Sequence, residues 1–283
     1  MSELLEPFMM GTTHKVNDPK CPFCPKKKND EHYTTYSGAD NDADKLGKLI
    51  NEPKKFGTSI EADARPKDGK VGKDQRANQG FKTTSGETLD DVKDGDTNWK
   101  FQPHHAIPGN QCLKGHAVEK FIVGGAKVKF DTGYSVNNPQ NGIWLPSYPA
   151  DGNWPTDPSA KYAMAVKAMK AFKRQFHLGH HNIDVDVDGL DPAVHKNYIN
   201  YVKSILKDLN VVLSDWEAAC PEQDKDDKHR GNVIIHNALD CVSAHLIKKL
   251  KGSPRTWKFF VSRHARDFTI KTIKPNTKLD FER

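Results

Sequence analysis

The hydrophobic pattern of the chain changes abruptly at Trp99-Lys100-Phe101. From Gly38 to Asp96 there is almost no hydrophobic periodicity, and residues 1 to about 95 are rich in Lys, Asp, Gly, Asn and Pro. Such a stretch buries too little apolar surface to offset its ordering entropy, so it reads as long loops or an arm, with a local helix near Ala43–Asn51. From Trp99 to Lys274 apolar residues recur at helix and strand spacings. The expected organisation is a loop-rich N-terminal region, 1–95, followed by a packed domain, 96–283, of α+β class.

Within the packed part, Asn98–Gln102 reads as a short strand leading into His104-His105. A helix is expected over Gln111–Ile122 and an extended piece over Lys127–Asp131. Asn137-Asn138-Pro139-Gln140 is turn chemistry. Gly142-Ile143-Trp144-Leu145 reads as a short strand closed by Pro146. Ser159–Phe176 has helical spacing, with Ala163, Val166, Met169 and Phe172 on one face. Asp191-Pro192 predicts a helix start, Asp at the N-cap and Pro at the first helical position, with the helix running to about Leu209. A further helix is expected over Asn232–Leu250, with Ile235, Leu239, Val242 and Leu246 aligned, and a strand over Trp257–Val261.

Net charge is +6, which suits a polyanionic partner and equally suits a merely soluble surface. No apolar run approaches a membrane span, so no membrane partner is expected. The N-terminus has no signal-peptide pattern, so export is expected by a route without a cleaved signal. Five cysteines cannot all pair internally, and the thiols read as mostly reduced and buried. Cys21-Pro22-Phe23-Cys24 forms a CxxC knuckle, a candidate structural zinc site with His14 or His32, while Cys112, Cys220 and Cys241 lie scattered.

The segment Phe101-Gln102-Pro103-His104-His105-Ala106-Ile107-Pro108-Gly109-Asn110 carries the most chemistry. Neighbouring histidines at a strand end can divide two tasks: one binds a metal, and the next takes a proton from water, because its pKa lies near neutrality. Three further blocks follow. These are Asn141-Gly142-Ile143-Trp144-Leu145-Pro146, then His177-Leu178-Gly179-His180-His181, then His195-Lys196-Asn197-Tyr198 leading into Tyr201-Val202.

That order resembles the AHH nucleases, a toxin branch of the HNH/endonuclease VII superfamily, over roughly residues 99–209. The resemblance implies a ββα-metal (His-Me) finger embedded in a mostly helical domain. It implies His104 as metal ligand, His105 as general base, and Asn141 as the residue that orders the loop or approaches the metal. The later histidines would complete the site: His177, His180, His181 and His195 all remain candidates, with His195 favoured at one turn into its expected helix. The chain departs from the pattern at Pro103, where the family has Ala, and in insertions before His177 and before His195.

A divalent ion with one base suffices for phosphodiester hydrolysis, and Mg²⁺, Mn²⁺, Zn²⁺ and Ni²⁺ all fit such donors. The function implied is a DNA endonuclease toxin of low sequence preference. It would be cytoplasmic in the producer, carried by a secretion system into the competitor's cytoplasm, and restrained by a cognate immunity protein. Two other readings stand beside it: an RNase of the same fold, and a non-catalytic nucleic-acid-binding or zinc-stabilised module.

Two weaker patterns complete the reading. Asp184-Val185-Asp186-Val187-Asp188-Gly189 begins like a calcium loop, but His195 stands where the bidentate Glu belongs, which favours a plain acidic turn. Ser262-Arg263-His264-Ala265-Arg266 reads as a phosphate contact or a solvated basic turn.

Overall fold

The computed structural model describes residues 3–8, 21–24, 40–51, 70–71, 99–128, 132–149, 153–178, 181–185, 189–220 and 233–279. His14, His32, His180 and Asp186–Asp188 lie outside them. In chain order the regular elements are α1 (Ala43–Asn51), β1 (Lys70–Val71), β2 (Trp99–His105), β3 (Gly142–Pro149), α2 (Pro158–Phe172), α3 (Tyr198–Ala219), α4 (Val233–Leu250) and α5 (Arg263–Ile273). The chain is of mixed helix-and-strand, α+β class. No described helix is long and apolar enough to cross a membrane.

The fold divides into two compact units, both discontinuous in sequence. One comprises Met1–Glu61, His105–Asn141 and Val202–Leu246; the other comprises Ala62–His104, Gly142–Tyr201 and Ile247–Arg283. This division cuts across the boundary near residue 96 expected from composition.

In the first unit, Asp42 caps α1 by accepting from the Lys45 N–H at 2.8 Å. Leu46 and Ile50, one turn apart, are fully buried. On α4 the expected face holds: Ile235, Leu239, Val242 and Leu246 are all buried, and the helix runs Val233–Leu250. The expected helix Gln111–Ile122 does not form. A π-turn, Gly109–Leu113, and a 3-10 turn, Ala117–Phe121, replace it. Gly115 takes φ +72° between them, and His116 turns extended and accepts the Val118 N–H at 3.2 Å through Nδ1. A left-handed residue followed by an extended one interrupts the helical hydrogen-bond series.

The second unit holds a three-stranded sheet in the order β1-β2-β3, with β1 antiparallel to β2 through Lys70↔Lys100 and Val71↔Trp99. Pro146 does not close β3, which continues to Pro149. Its edge position tolerates a residue without an N–H. On α2 the buried face is Ala165, Ala168, Met169 and Phe172, whereas Ala163 is exposed and Val166 half-buried. In so alanine-rich a helix the apolar contrast between faces is weak, so spacing alone misplaces the face by a residue or two. The helix ends at Lys173, φ +51°, earlier than Phe176.

Asp191-Pro192 starts only a turn. Asp191 accepts from the Ala193 N–H through its side chain (2.8 Å) and from the His195 N–H through its carbonyl (2.8 Å), and α3 begins later, at Tyr198. The expected strand Trp257–Val261 does not join the sheet. Instead the Gln175 amide serves as its partner: Nε2 donates to the Phe259 carbonyl (2.8 Å) and Oε1 accepts from the Val261 N–H (3.0 Å). Ser262 then caps α5 by accepting from the Ala265 N–H at 3.2 Å, so the basic segment is a helix start rather than a turn.

Candidate metal centre

Strand alternation decides which β2 side chains share a face. Trp99 and Phe101 pack edge-on against Phe176 and Phe172, at ring separations of 6.2 and 4.8 Å. Gln102 and His104 share the other parity, and both meet His177: Gln102 Oε1 lies 2.7 Å from His177 Nδ1, and the His104 and His177 rings are 5.1 Å apart.

The segment carrying His177 is tied down by backbone chemistry. Arg174 Nη1 donates to the Trp144 carbonyl (2.8 Å), Gln175 N–H to the Leu250 carbonyl (3.0 Å), and His177 N–H to the Pro146 carbonyl (2.8 Å). His181 arrives from the following loop, with its ring 4.6 Å from His104 and 4.9 Å from His177.

One nitrogen from each of His104, His177 and His181 lies within 4.8 Å of the others. Metal-bound imidazoles usually pass their remaining ring N–H to an outer oxygen, which fixes the tautomer. Here His177 Nδ1 faces the Gln102 amide oxygen, and His181 Nδ1 faces the Val261 carbonyl at a longer 3.4 Å. The Tyr198 hydroxyl, at the start of α3, lies 3.1 Å from His104 Nε2. His104 is buried, while His177 and His181 are half-buried. Three imidazole donors with part of the set accessible fit a divalent transition ion that retains an open position.

The other residues singled out by sequence sit elsewhere. His105 belongs to the first unit, where its Nε2 lies 2.7 Å from Asn137 Oδ1. Asn137 is oriented by the backbone: its Oδ1 also accepts from the Asp42 N–H (2.8 Å), and its Nδ2 donates to the Asp40 carbonyl (3.2 Å). The oxygen therefore faces the ring and, as an acceptor, takes the proton that His105 carries on Nε2. Burial lowers the His105 pKa, against a smaller opposing pull from Asn137 and Asp42.

Asn141 orders its loop. Its Oδ1 accepts from the Ile107 N–H (2.7 Å) and the Ser243 hydroxyl (2.9 Å), and its Nδ2 donates to the Ile107 (3.0 Å) and Val136 (2.8 Å) carbonyls. Both carbonyl lone pairs and both amide hydrogens are thereby engaged, which leaves nothing for a metal.

His195 does not join the histidine cluster. Its Nδ1 lies 3.3 Å from the Asp191 carbonyl and its ring stacks on Phe260 at 5.8 Å, and burial again lowers its pKa. With α3 starting at Tyr198, His195 precedes the helix instead of standing one turn into it. In the acidic loop, Gly189 adopts φ +107°, and a Cβ there would meet Ile270 at 2.9 Å; this conformation needs glycine whether or not an ion binds.

The sequence assigned no role to Gln102, and to Tyr198 only a place in the last block; their nearness to the histidines has no local signature. It also passed over Cys220. The sulfurs of Cys21, Cys24 and Cys220 lie within 4.8 Å of one another, all three buried. Burial pushes the Cys21 thiol well up from its ordinary value. Comparison with family models, characterised proteins and solved structures finds no match to this chain.

Proposed function

We propose that the second unit carries a divalent-metal site for phosphodiester hydrolysis, with DNA as the substrate. The observation that carries the reading is the convergence of His104, His177 and His181 on one point. It is supported by the order of histidine blocks that resembles the AHH nucleases, and by a net charge of +6, which favours a polyanion. His177 and His181 act here as ligands beside His104, with Gln102 and the Val261 carbonyl orienting them. Imidazole donors favour Zn²⁺ or Ni²⁺ over Mg²⁺, which prefers oxygen.

A bound ion supplies charge neutralisation at the scissile phosphate and acidifies water in its shell. The resemblance to the AHH nucleases gives His105, next in sequence to His104, the part of general base. Asn141 and His195 act as structural residues, one tying the loop and the other packing on Phe260.

The biological setting that goes with this chemistry is an antibacterial toxin, delivered by a secretion-system carrier into a competitor's cytoplasm and held in check by an immunity protein. The test is parallel digestion of supercoiled plasmid, linear duplex and total RNA by the purified chain with Zn²⁺, Ni²⁺, Mn²⁺ or Mg²⁺. Metal-dependent plasmid cleavage is expected. Degraded RNA beside intact plasmid would move the substrate to RNA, and tight binding without cleavage of either would leave a binding module. Cytoplasmic expression in bacteria is expected to arrest growth, and normal growth with intact chromosomal DNA would overturn the toxin setting.

A further inference from the structure

We propose that Cys21, Cys24 and Cys220 form a second metal site, a structural zinc centre of the first unit that is independent of the histidine cluster. The three residues are exposed by only 0%, 1% and 4%. Two come from the CxxC knuckle, and the third is the residue just after α3, where the Cys220 N–H donates to the Trp216 carbonyl at 3.0 Å.

Cys24 Sγ and Cys220 Sγ lie 3.9 Å apart across 196 residues of sequence. A disulfide would bring them to about 2.0 Å. Two thiolates on a tetrahedral zinc, each at about 2.3 Å, stand about 3.8 Å apart. The observed separation matches an edge of that tetrahedron.

Two details separate this from a cluster of apolar cysteines filling a core. The Phe23 N–H points at Cys21 Sγ at 3.3 Å, and a backbone donor aimed at sulfur stabilises a thiolate more than a thiol. The knuckle is also anchored for orientation: Phe23, between the two cysteines, is fully buried with its ring 5.7 Å from Phe121. Three thiolates leave one position for water or a further donor. Soft sulfur ligands select zinc over the magnesium or calcium that oxygen sites take. An ion here would hold the N-terminal knuckle to the end of α3.

The test is cobalt substitution of the full chain, purified reduced and without chelator. Thiolate-to-cobalt charge-transfer absorption in the near ultraviolet reports sulfur ligands and is silent for imidazole ones. Wild type and His104→Ala are expected to show it, and to lose it when zinc is added. Cys220→Ser and Cys24→Ser are expected to lack it and to carry about one zinc equivalent less by elemental analysis. Absence of the absorption from cobalt-loaded wild type overturns the site, and needs no variant to fold. So does an intact mass showing a Cys24–Cys220 disulfide in protein isolated from the cytoplasm. Persistence of the band in His104→Ala keeps this outcome separate from the fate of the histidine site.

Discussion

The cysteine cluster of the first unit and the histidine cluster of the second differ in donor, burial and the way the chain assembles them. The cysteines are sealed, and their third member comes from the far end of α3. The histidines come from β2 and from the loop between α2 and α3, and two of the three are half-buried. Closed, sulfur-rich sets suit ions that hold a fold, whereas imidazole sets with an open position suit ions that meet a substrate. The difference also bears on chelation. Loss of activity in EDTA does not by itself locate the catalytic ion, because a chelator strips a structural zinc as well.

The comparison breaks first at the histidines. His104→Ala or His181→Ala is expected to drop plasmid cleavage to background while the protein stays folded and keeps its thiolate-to-cobalt band. Wild-type cleavage by either folded variant would detach the cluster from the chemistry. Next in size is His105→Ala, expected to cut the cleavage rate by roughly 10²–10⁴-fold with metal content unchanged. An equal loss of bound metal would make His105 a ligand or a structural residue instead of the base.

A third experiment concerns acid. His264 lies against Trp154 and Phe176, with Arg263 and Lys161 nearby, and burial followed by those two cations lowers its pKa from 6.5 to about 4. The folded form resists protonation, so His264 favours folding above pH 6.5, and this contribution is lost as pH falls from about 6.5 to about 4. The full span is worth roughly 3 kcal/mol. His264→Phe should therefore flatten the fall in melting temperature between pH 7 and pH 4.5, and an unchanged slope would show that other groups control acid sensitivity.

The smallest effect expected is at Gln102. Removing the oxygen that faces His177 Nδ1, in Gln102→Leu, should weaken metal binding at the histidine site by about 10–100-fold. Titration of the metal into Cys220→Ser protein isolates that site, and affinity equal to the Gln102-containing protein would remove the orienting role.

The elements legible in the sequence are those set by contacts within a turn or a strand. α1 and α4 fall where spacing puts them, and β2 begins within a residue of expectation but runs past Gln102 to His105, because helical i, i+4 pairs and strand alternation need no distant partner whereas a strand's end does. Where a side chain competes with the backbone, the reading fails. Asp191 caps a turn that does not propagate, Gly115 and His116 split an expected helix, and the Gln175 amide supplies partners that keep 257–261 out of the sheet.

The site divides in the same way. The sequence alone identified the chemistry at hand: a histidine pair at a strand end, three more histidines in one short block, and a CxxC knuckle. Only the tertiary structure decided which of these groups meet. It joined His177 and His181 to His104 and left His195 on Phe260; it engaged Asn141 wholly with backbone and Ser243; and it brought Cys220 to the knuckle. The physical reason is range. Residue type and local spacing determine what a side chain can bind. Convergence of donors far apart in sequence depends instead on how β2, the segment pinned along β3 and the ends of α3 pack, which no local pattern encodes.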